Sequence, residues 1–223
     1  MSKLYIAYGS NLNIYQMKRR CPDAKIVGTT FISGYRLTFR GNRKHCGVAN
    51  VEPEKGSIVP VGVWLISPKD EAALDRYEGY PWLYYKKNFR IRINGELRMA
   101  MGYVMTDGHE YAAPSDMYLR TIVDGFDDFN IDTEILFDAV IDTQKRLETS
   151  LPSFLEHVSD LQWSYHLPTC PRCGRQNMKP STATNALSRH ANVYICDECG
   201  MDEAIRDYAG KTVPLEKWAI CQK

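Results

Sequence analysis

The chain has 223 residues, 44% hydrophobic and 25% charged, proportions that allow a proper core. Its net charge of +1 supplies no global attraction to nucleic acid or anionic membranes, and no apolar run reaches the length of a bilayer span. The first residues carry one lysine and a short strand-like run, then glycine and polar residues, which is no secretory signal, so a cytoplasmic protein without a membrane anchor is expected.

In chain order, Leu4-Tyr5-Ile6-Ala7 predicts a strand over 3–8 that runs straight into the turn Tyr8-Gly9-Ser10-Asn11. Gly9 lets the backbone approach a ligand closely, while Ser10 and Asn11 bring a hydroxyl and an amide, although such a turn can also do no more than reverse the chain. A helix over 14–19 follows, then strands over 35–39, 47–51, 59–66, 86–93 and 98–105, with further helical pieces over 68–77 and 115–123. Asn94-Gly95 is a hairpin turn signal between the last two strands. Unequal strands with few crossover helices predict an α+β unit over 1–128 with a curled, mostly closed sheet. Neither G-x-G-x-x-G nor a Walker loop is present, which leaves nucleotide folds without support.

Ile131, Ile135, Leu136, Ala139, Val140 and Leu147 mark one face of an amphipathic helix, with Asn130 or Asp132 as its cap. A connector with its own apolar residues continues to Tyr165, giving a helical segment over 129–166. A cysteine module over 167–210 and a tail over 211–223 complete the chain.

The segment from Ser67 to Pro81 concentrates helix signals. Ser67 is a cap, Pro68 takes the first helical position, Asp70 falls three residues after the cap, and Gly79 is a natural stop. Glu78 therefore lies in the last turn, on the face of Leu74. The negative end of the helix dipole and burial beside Tyr77, Tyr80 and Trp82 both push its pKa upward. Such a carboxyl suits proton transfer near neutral pH. The plainer alternative is a surface glutamate paired with Arg76 or Lys86. The residue nevertheless occupies a helix end where Lys or Arg is favoured, and such a misfit is where function is worth seeking.

These residues together resemble the gamma-glutamylcyclotransferase-like superfamily. The resemblance is carried over roughly 3–125 by Tyr8-Gly9-Ser10-Asn11-Leu12, His45-Cys46-Gly47-Val48-Ala49, Val61-Gly62-Val63-Trp64, Leu74-Asp75-x-x-Glu78-Gly79 and Pro114-Ser115-x-x-Tyr118. It implies a small closed mixed sheet, barrel-like and flanked by helices. The catalytic glutamate falls on Glu78, and the substrate-binding strand and loop fall on Tyr5, Ile6, Ala7, Tyr8, Gly9, Ser10 and Asn11. A family tyrosine falls on Tyr84 in preference to Tyr85, with Tyr118 and, less directly, Tyr103 lining the same cavity. The implied activity is cyclisation of a small gamma-glutamyl amide or amine to 5-oxoproline with release of the amine, and no catalytic cofactor is implied. Tyr80, Trp82 and Tyr84 suggest an aromatic wall for the leaving group, or ordinary packing. A non-catalytic amine- or amino-acid-binding module is the alternative function.

Cys170-Pro171-Arg172-Cys173-Gly174 and Cys196-Asp197-Glu198-Cys199-Gly200 form two Cys-x-x-Cys knuckles. Two residues between thiolates let both reach one tetrahedral ion, so Cys170, Cys173, Cys196 and Cys199 are expected to hold a structural Zn with no open position. The segment resembles zinc-ribbon tails. Arg172, Arg175, Lys179 and Arg189 can touch phosphate, but Asp197, Glu198, Asp202, Glu203 and Asp207 interrupt any basic face. Docking to a protein partner or to the first domain is favoured over nucleic acid.

Overall fold

The computed structural model describes residues 2–42, 46–148 and 150–222. His45, one residue of the motifs above, lies outside them. The described chain divides into two compact units, Met1–Thr143 and Gln144–Lys223.

The first unit is built on a five-stranded mixed sheet. Its strands are β1 (Lys3–Ala7), β2 (Lys25–Gly41), β3 (Gly47–Ile66), β4 (Tyr84–Ile93) and β5 (Glu96–Met105), in the order β2-β3-β1-β5-β4. β1 is antiparallel to β3, with Tyr5 opposite Trp64, and parallel to β5, with Tyr5 opposite Met101. β4 and β5 form a hairpin whose turn residues Asn94 and Gly95 both have positive φ, 52° and 82°, as a two-residue primed turn requires. The edges β2 and β4 meet through side chains and not through a further ladder. Thr30 donates its hydroxyl to the Arg92 carbonyl at 2.6 Å, and Tyr35 meets Phe89 edge to face. The curl encloses Ile6, Phe39, Val61, Val63 and Ile91, all essentially without exposure, so the α+β class and the mixed sheet match the sequence reading.

The extent of β2 and β3 does not. The sequence predicts three separate strands where one long, bent hairpin forms, because Gly28, Gly34, Pro53 and Gly56 read locally as breaks. The ladder absorbs them as irregularities. Registers shift between Ile26 and Gly28 and between Ser33 and Tyr35, and residues 54–57 have only Gly34 opposite them.

Helices α1 (Ile14–Arg20), α2 (Pro68–Glu78) and α3 (Asp116–Asp128) flank the sheet. α2 starts as predicted: Ser67 accepts from the Asp70 N–H at 3.2 Å while Asp70 accepts from the Ser67 N–H at 3.0 Å. It stops at Gly79, whose φ of 65° is a left-handed cap that a side chain would strain. α3 runs further than predicted, and just past its end Phe129 packs edge to face on buried Trp64. α4 (Glu134–Leu147) starts three residues later than its apolar pattern suggests, because Asp132 accepts from the Glu134 N–H at 2.8 Å.

The second unit holds α5 (Leu151–Tyr165), a two-residue hairpin β6 (Ala186–Leu187) and β7 (Tyr194–Ile195), α6 (Asp197–Tyr208) and α7 (Ala219–Gln222). Gln162 of α5 clasps Tyr194 with both ends of its amide, accepting from N–H at 2.9 Å and donating to C=O at 2.7 Å. The tail returns to the first knuckle: Ala219 and Ile220 donate to the carbonyls of Arg172 and Pro171, and Trp218 is fully buried. Among the described residues no helix is long and apolar enough to cross a membrane.

Candidate active site and cysteine cluster

β1 ends at Ala7 and the chain turns through Tyr8 and Gly9 into a 3₁₀ turn, Ser10–Leu12. A Cβ on Gly9 would lie 3.0 Å from the Ala49 Cβ and 3.5 Å from the Tyr118 hydroxyl, so a side chain here would push into the neighbouring strand and the cleft. That cleft is lined by Tyr5, Tyr8, Gly9, Ser10, Asn11, Ala49, Glu78, Tyr103 and Tyr118. The turn after β1 and the end of α2 thus meet across 67 positions of sequence. Asn11 Nδ2 donates to Glu78 Oε1 at 2.6 Å and to the Tyr5 hydroxyl at 2.7 Å.

Burial pushes the Glu78 carboxyl up to about 7, against the opposing influence of the Asn11 hydrogen bond and the Arg20 charge. The surface pairing that sequence leaves open for Glu78 is not formed with Lys86. That lysine bonds Glu71 at 2.7 Å and Asp75 at 2.8 Å instead. Asp75 in turn accepts from the Tyr103 hydroxyl at 2.6 Å. The phenols around the carboxyl are held neutral: burial raises Tyr5, Tyr8 and Tyr118 above the usual tyrosine range, and burial with the Asp75 hydrogen bond does so for Tyr103.

Of the residues singled out from sequence, Tyr5, Tyr8, Gly9, Ser10, Asn11, Glu78 and Tyr118 share this cleft, as does Tyr103. Ile6 and Ala7 are buried in β1 outside its lining. Tyr84 is also outside it, donating to the Ala49 carbonyl at 2.7 Å from behind, while the Ala49 N–H donates to Tyr118 at 3.2 Å. Tyr80 and Trp82 form no part of the lining and are 41% and 76% exposed, so no aromatic wall stands there. Sequence reasoning missed Arg20, the last residue of α1, which donates to Asn11 Oδ1 and lies over the Tyr77 ring, 3.2 Å from its centroid. A basic last turn on α1 was the available signal, but that pattern is common at helix ends.

In the second unit, the sulfurs of Cys170, Cys173, Cys196 and Cys199 all lie within 4.8 Å of one another. Thiolates at the vertices of a tetrahedral zinc site stand about 3.8 Å apart, and the Cys173–Cys196 separation is 3.9 Å. The Cys196 N–H donates to the Cys170 sulfur at 3.3 Å, a backbone-to-sulfur bond that ties the second knuckle to the first. The donor set fits a structural ion and leaves no protein-free vertex for chemistry. Arg172 pairs with Asp202, Arg175 with Glu198 and Lys179 with Asp197, so three cations open to phosphate by sequence are engaged within the module.

The first unit is a mixed sheet curled round its core, with the part-buried Glu78 carboxyl facing a glycine turn. Its residues 5–120 match the family model described as gamma-glutamyl cyclotransferase, AIG2-like, and the chain belongs to that family. It is 30% identical to the mouse gamma-glutamylcyclotransferase over 131 residues, 55% of this chain and 69% of the mouse protein. The human gamma-glutamylcyclotransferase is 29% identical over 133 residues, 56% of this chain and 70% of the human protein. A solved gamma-glutamyl cyclotransferase superposes with a TM-score of 0.57 at 25% identity, covering 62% of this chain and 86% of the other. These relationships support an enzyme of the cyclotransferase kind.

Proposed function

We propose that the first unit cyclises a gamma-glutamyl amide or amine to 5-oxoproline and releases the amine, with Glu78 as general base and then general acid. The observation that carries this reading is the part-buried Glu78 carboxyl, pushed up to about 7 and facing the Tyr8–Asn11 turn across a small cleft. The substrate holds both reacting groups, so the protein has only to bend it and move one proton. The α-nitrogen attacks the γ-carbonyl carbon, a new C–N bond closes the five-membered ring, and the original amide C–N bond breaks. Glu78 takes the proton that the α-nitrogen loses and returns it to the departing nitrogen, leaving the carboxylate as it began. Holding the chain bent contributes up to about 7–11 kcal/mol, and the proton transfer about 10²–10⁴-fold.

The first N–H groups of the 3₁₀ turn precede Leu12, the donor to the Gly9 carbonyl, and have no acceptor within the turn itself. They are assigned to the substrate carboxylate or the developing oxyanion, with Ser10 and Tyr118 beside them. The four cysteines are assigned a structural zinc, and the second unit the role of a protein-docking appendage.

The test is a panel of gamma-glutamyl amines and peptides, with 5-oxoproline and released amine quantified for the wild type and Glu78→Gln. Equal amounts of both products from at least one substrate are expected, with turnover down by at least about 10²-fold in the variant and substrate still bound. Ligands recovered unchanged after long incubation would instead make the cleft a binding site without turnover.

A further inference from the structure

Arg20 is the part of the site to which the scheme above gives no task. Its guanidinium donates to Asn11 Oδ1, stacks over Tyr77 with its carbon 3.2 Å from the ring centroid, and reaches Gln16 Oε1 at 3.5 Å. Among the described residues it forms no ion pair, so it is not an ordinary surface cation neutralised by a neighbouring carboxylate. Tyr77 precedes Glu78 on α2, and its hydroxyl meets Ser10 Oγ at 3.1 Å. One arginine from α1 is therefore tied to both halves of the site, the turn and the end of α2.

We propose that Arg20 is a positioning residue of the cyclotransferase site, locking the Asn11 amide so that Glu78 rests as a hydrogen-bonded carboxylate. The inference rests on the reading of Glu78 as proton shuttle. An asparagine amide can present either end to a neighbour, but a guanidinium has donors alone. With Oδ1 facing Arg20, both Nδ2 hydrogens are committed, one to Tyr5 and one to Glu78. Turning the amide over would aim its oxygen at the carboxylate and its NH₂ at the guanidinium, two repulsive contacts at once. The Tyr77 stack keeps the guanidinium planar against the ring and removes its freedom to follow such a turn.

Charge acts in the same direction. The titratable groups that feel the Glu78 charge are Tyr5 on β1, Tyr8 in the turn, Tyr84 on β4, Tyr103 on β5, Tyr118 on α3 and Cys21 after α1. Burial raises every one of them, Cys21 to about 12, so all are neutral where the enzyme would work. Arg20 is the cation that opposes the burial of Glu78.

The test uses the full chain labelled with δ-¹³C glutamate, with the Glu78 signal assigned by its loss in Glu78→Gln. In Arg20→Met the carboxyl midpoint is expected to rise by about one pH unit. Turnover at neutral pH should fall about fivefold and recover as pH is raised past the new midpoint. Arg20→Lys, which keeps the charge without the fork, should move the midpoint less and still lower turnover. Because Arg20 acts through Asn11, Asn11→Ala and the double variant should lose the same turnover, well short of additivity. An unchanged midpoint in Arg20→Met, or additive losses in the cycle, overturns the proposal. If Arg20→Met does not fold, Tyr77→Leu removes the stack and must shift the midpoint in the same direction. A Glu78→Gln protein that keeps its turnover would sink the shuttle reading and leave the Arg20 titration standing, so the two failures are distinguishable.

Discussion

The two units of this chain solve the problem of holding reactive groups in opposite ways. In Met1–Thr143 a sheet with strands of 17 and 20 residues supplies an apolar core, and the polar cleft is added at one end of a scaffold that needs nothing else. In Gln144–Lys223 the sheet is two strands of two residues each, and four cysteines converge beside a smaller apolar core that includes Phe154, Leu155, Val158 and Trp218. Where burial is ample, an enclosed carboxyl with a raised pKa can be tolerated as the cost of function. Where the sheet is this small, the structural zinc proposed for the four cysteines would carry a large share of the fold.

The sharpest way to break this contrast is metal removal. Structural zinc contributes about 10–16 kcal/mol of apparent binding energy, comparable to or greater than a domain's whole stability. Chelation, or Cys170→Ser, is expected to unfold the second unit while the first keeps its structure, read from amide signals of each. A second unit that stays folded without metal would show that its apolar residues suffice.

Next in size, Glu78→Gln should cost at least about 10²-fold in turnover and yet gain stability. The folded carboxyl sits near 7 against 4.5 for an ordinary glutamate, so above pH 7 the ionised residue destabilises the native state by about 3 kcal/mol. The sign is that of a raised folded pKa: the cost is absent below about 4.5 and complete above about 7. Denaturant unfolding should show the variant more stable than the wild type at pH 8 and equal to it at pH 4, and equal stability at both would place the carboxyl in water.

Gly9→Ala should have a smaller effect, about 1–3 kcal/mol on substrate binding or stability, because its methyl meets Ala49 and the mouth of the cleft. A raised KM with little change in kcat is the expected form. Smallest of all, Trp82→Ala, on a side chain 76% exposed and outside the cleft lining, should change stability by less than about 0.5 kcal/mol. A large loss of turnover there would restore the aromatic wall.

What was legible in the chain was what local chemistry dictates. The bounds of α2 follow from Ser67, Pro68 and Gly79, the β4–β5 hairpin from Asn94-Gly95, and the cysteine cluster from its spacing. The approach of the Tyr8–Asn11 turn to Glu78 was reached only through the order of motifs, since nothing local joins positions 67 residues apart. What stayed hidden is non-local in the same way. The long β2–β3 hairpin survives its glycines and prolines because the partner strand absorbs them. Arg20 meets Asn11 only because of how α1 lies on the turn, and Trp218 is buried because the tail folds back on the first knuckle.

The central claim is that the part-buried Glu78 carboxyl moves the proton. Its most direct test is the pH dependence of kcat/KM for 5-oxoproline formation from a substrate found in the panel. Because the carboxylate is the base, activity should rise with pH along a limb centred at about 7, and Glu78→Gln should lose both the limb and most of the rate. A limb near 4.5, or one that persists in Glu78→Gln, would contradict the account.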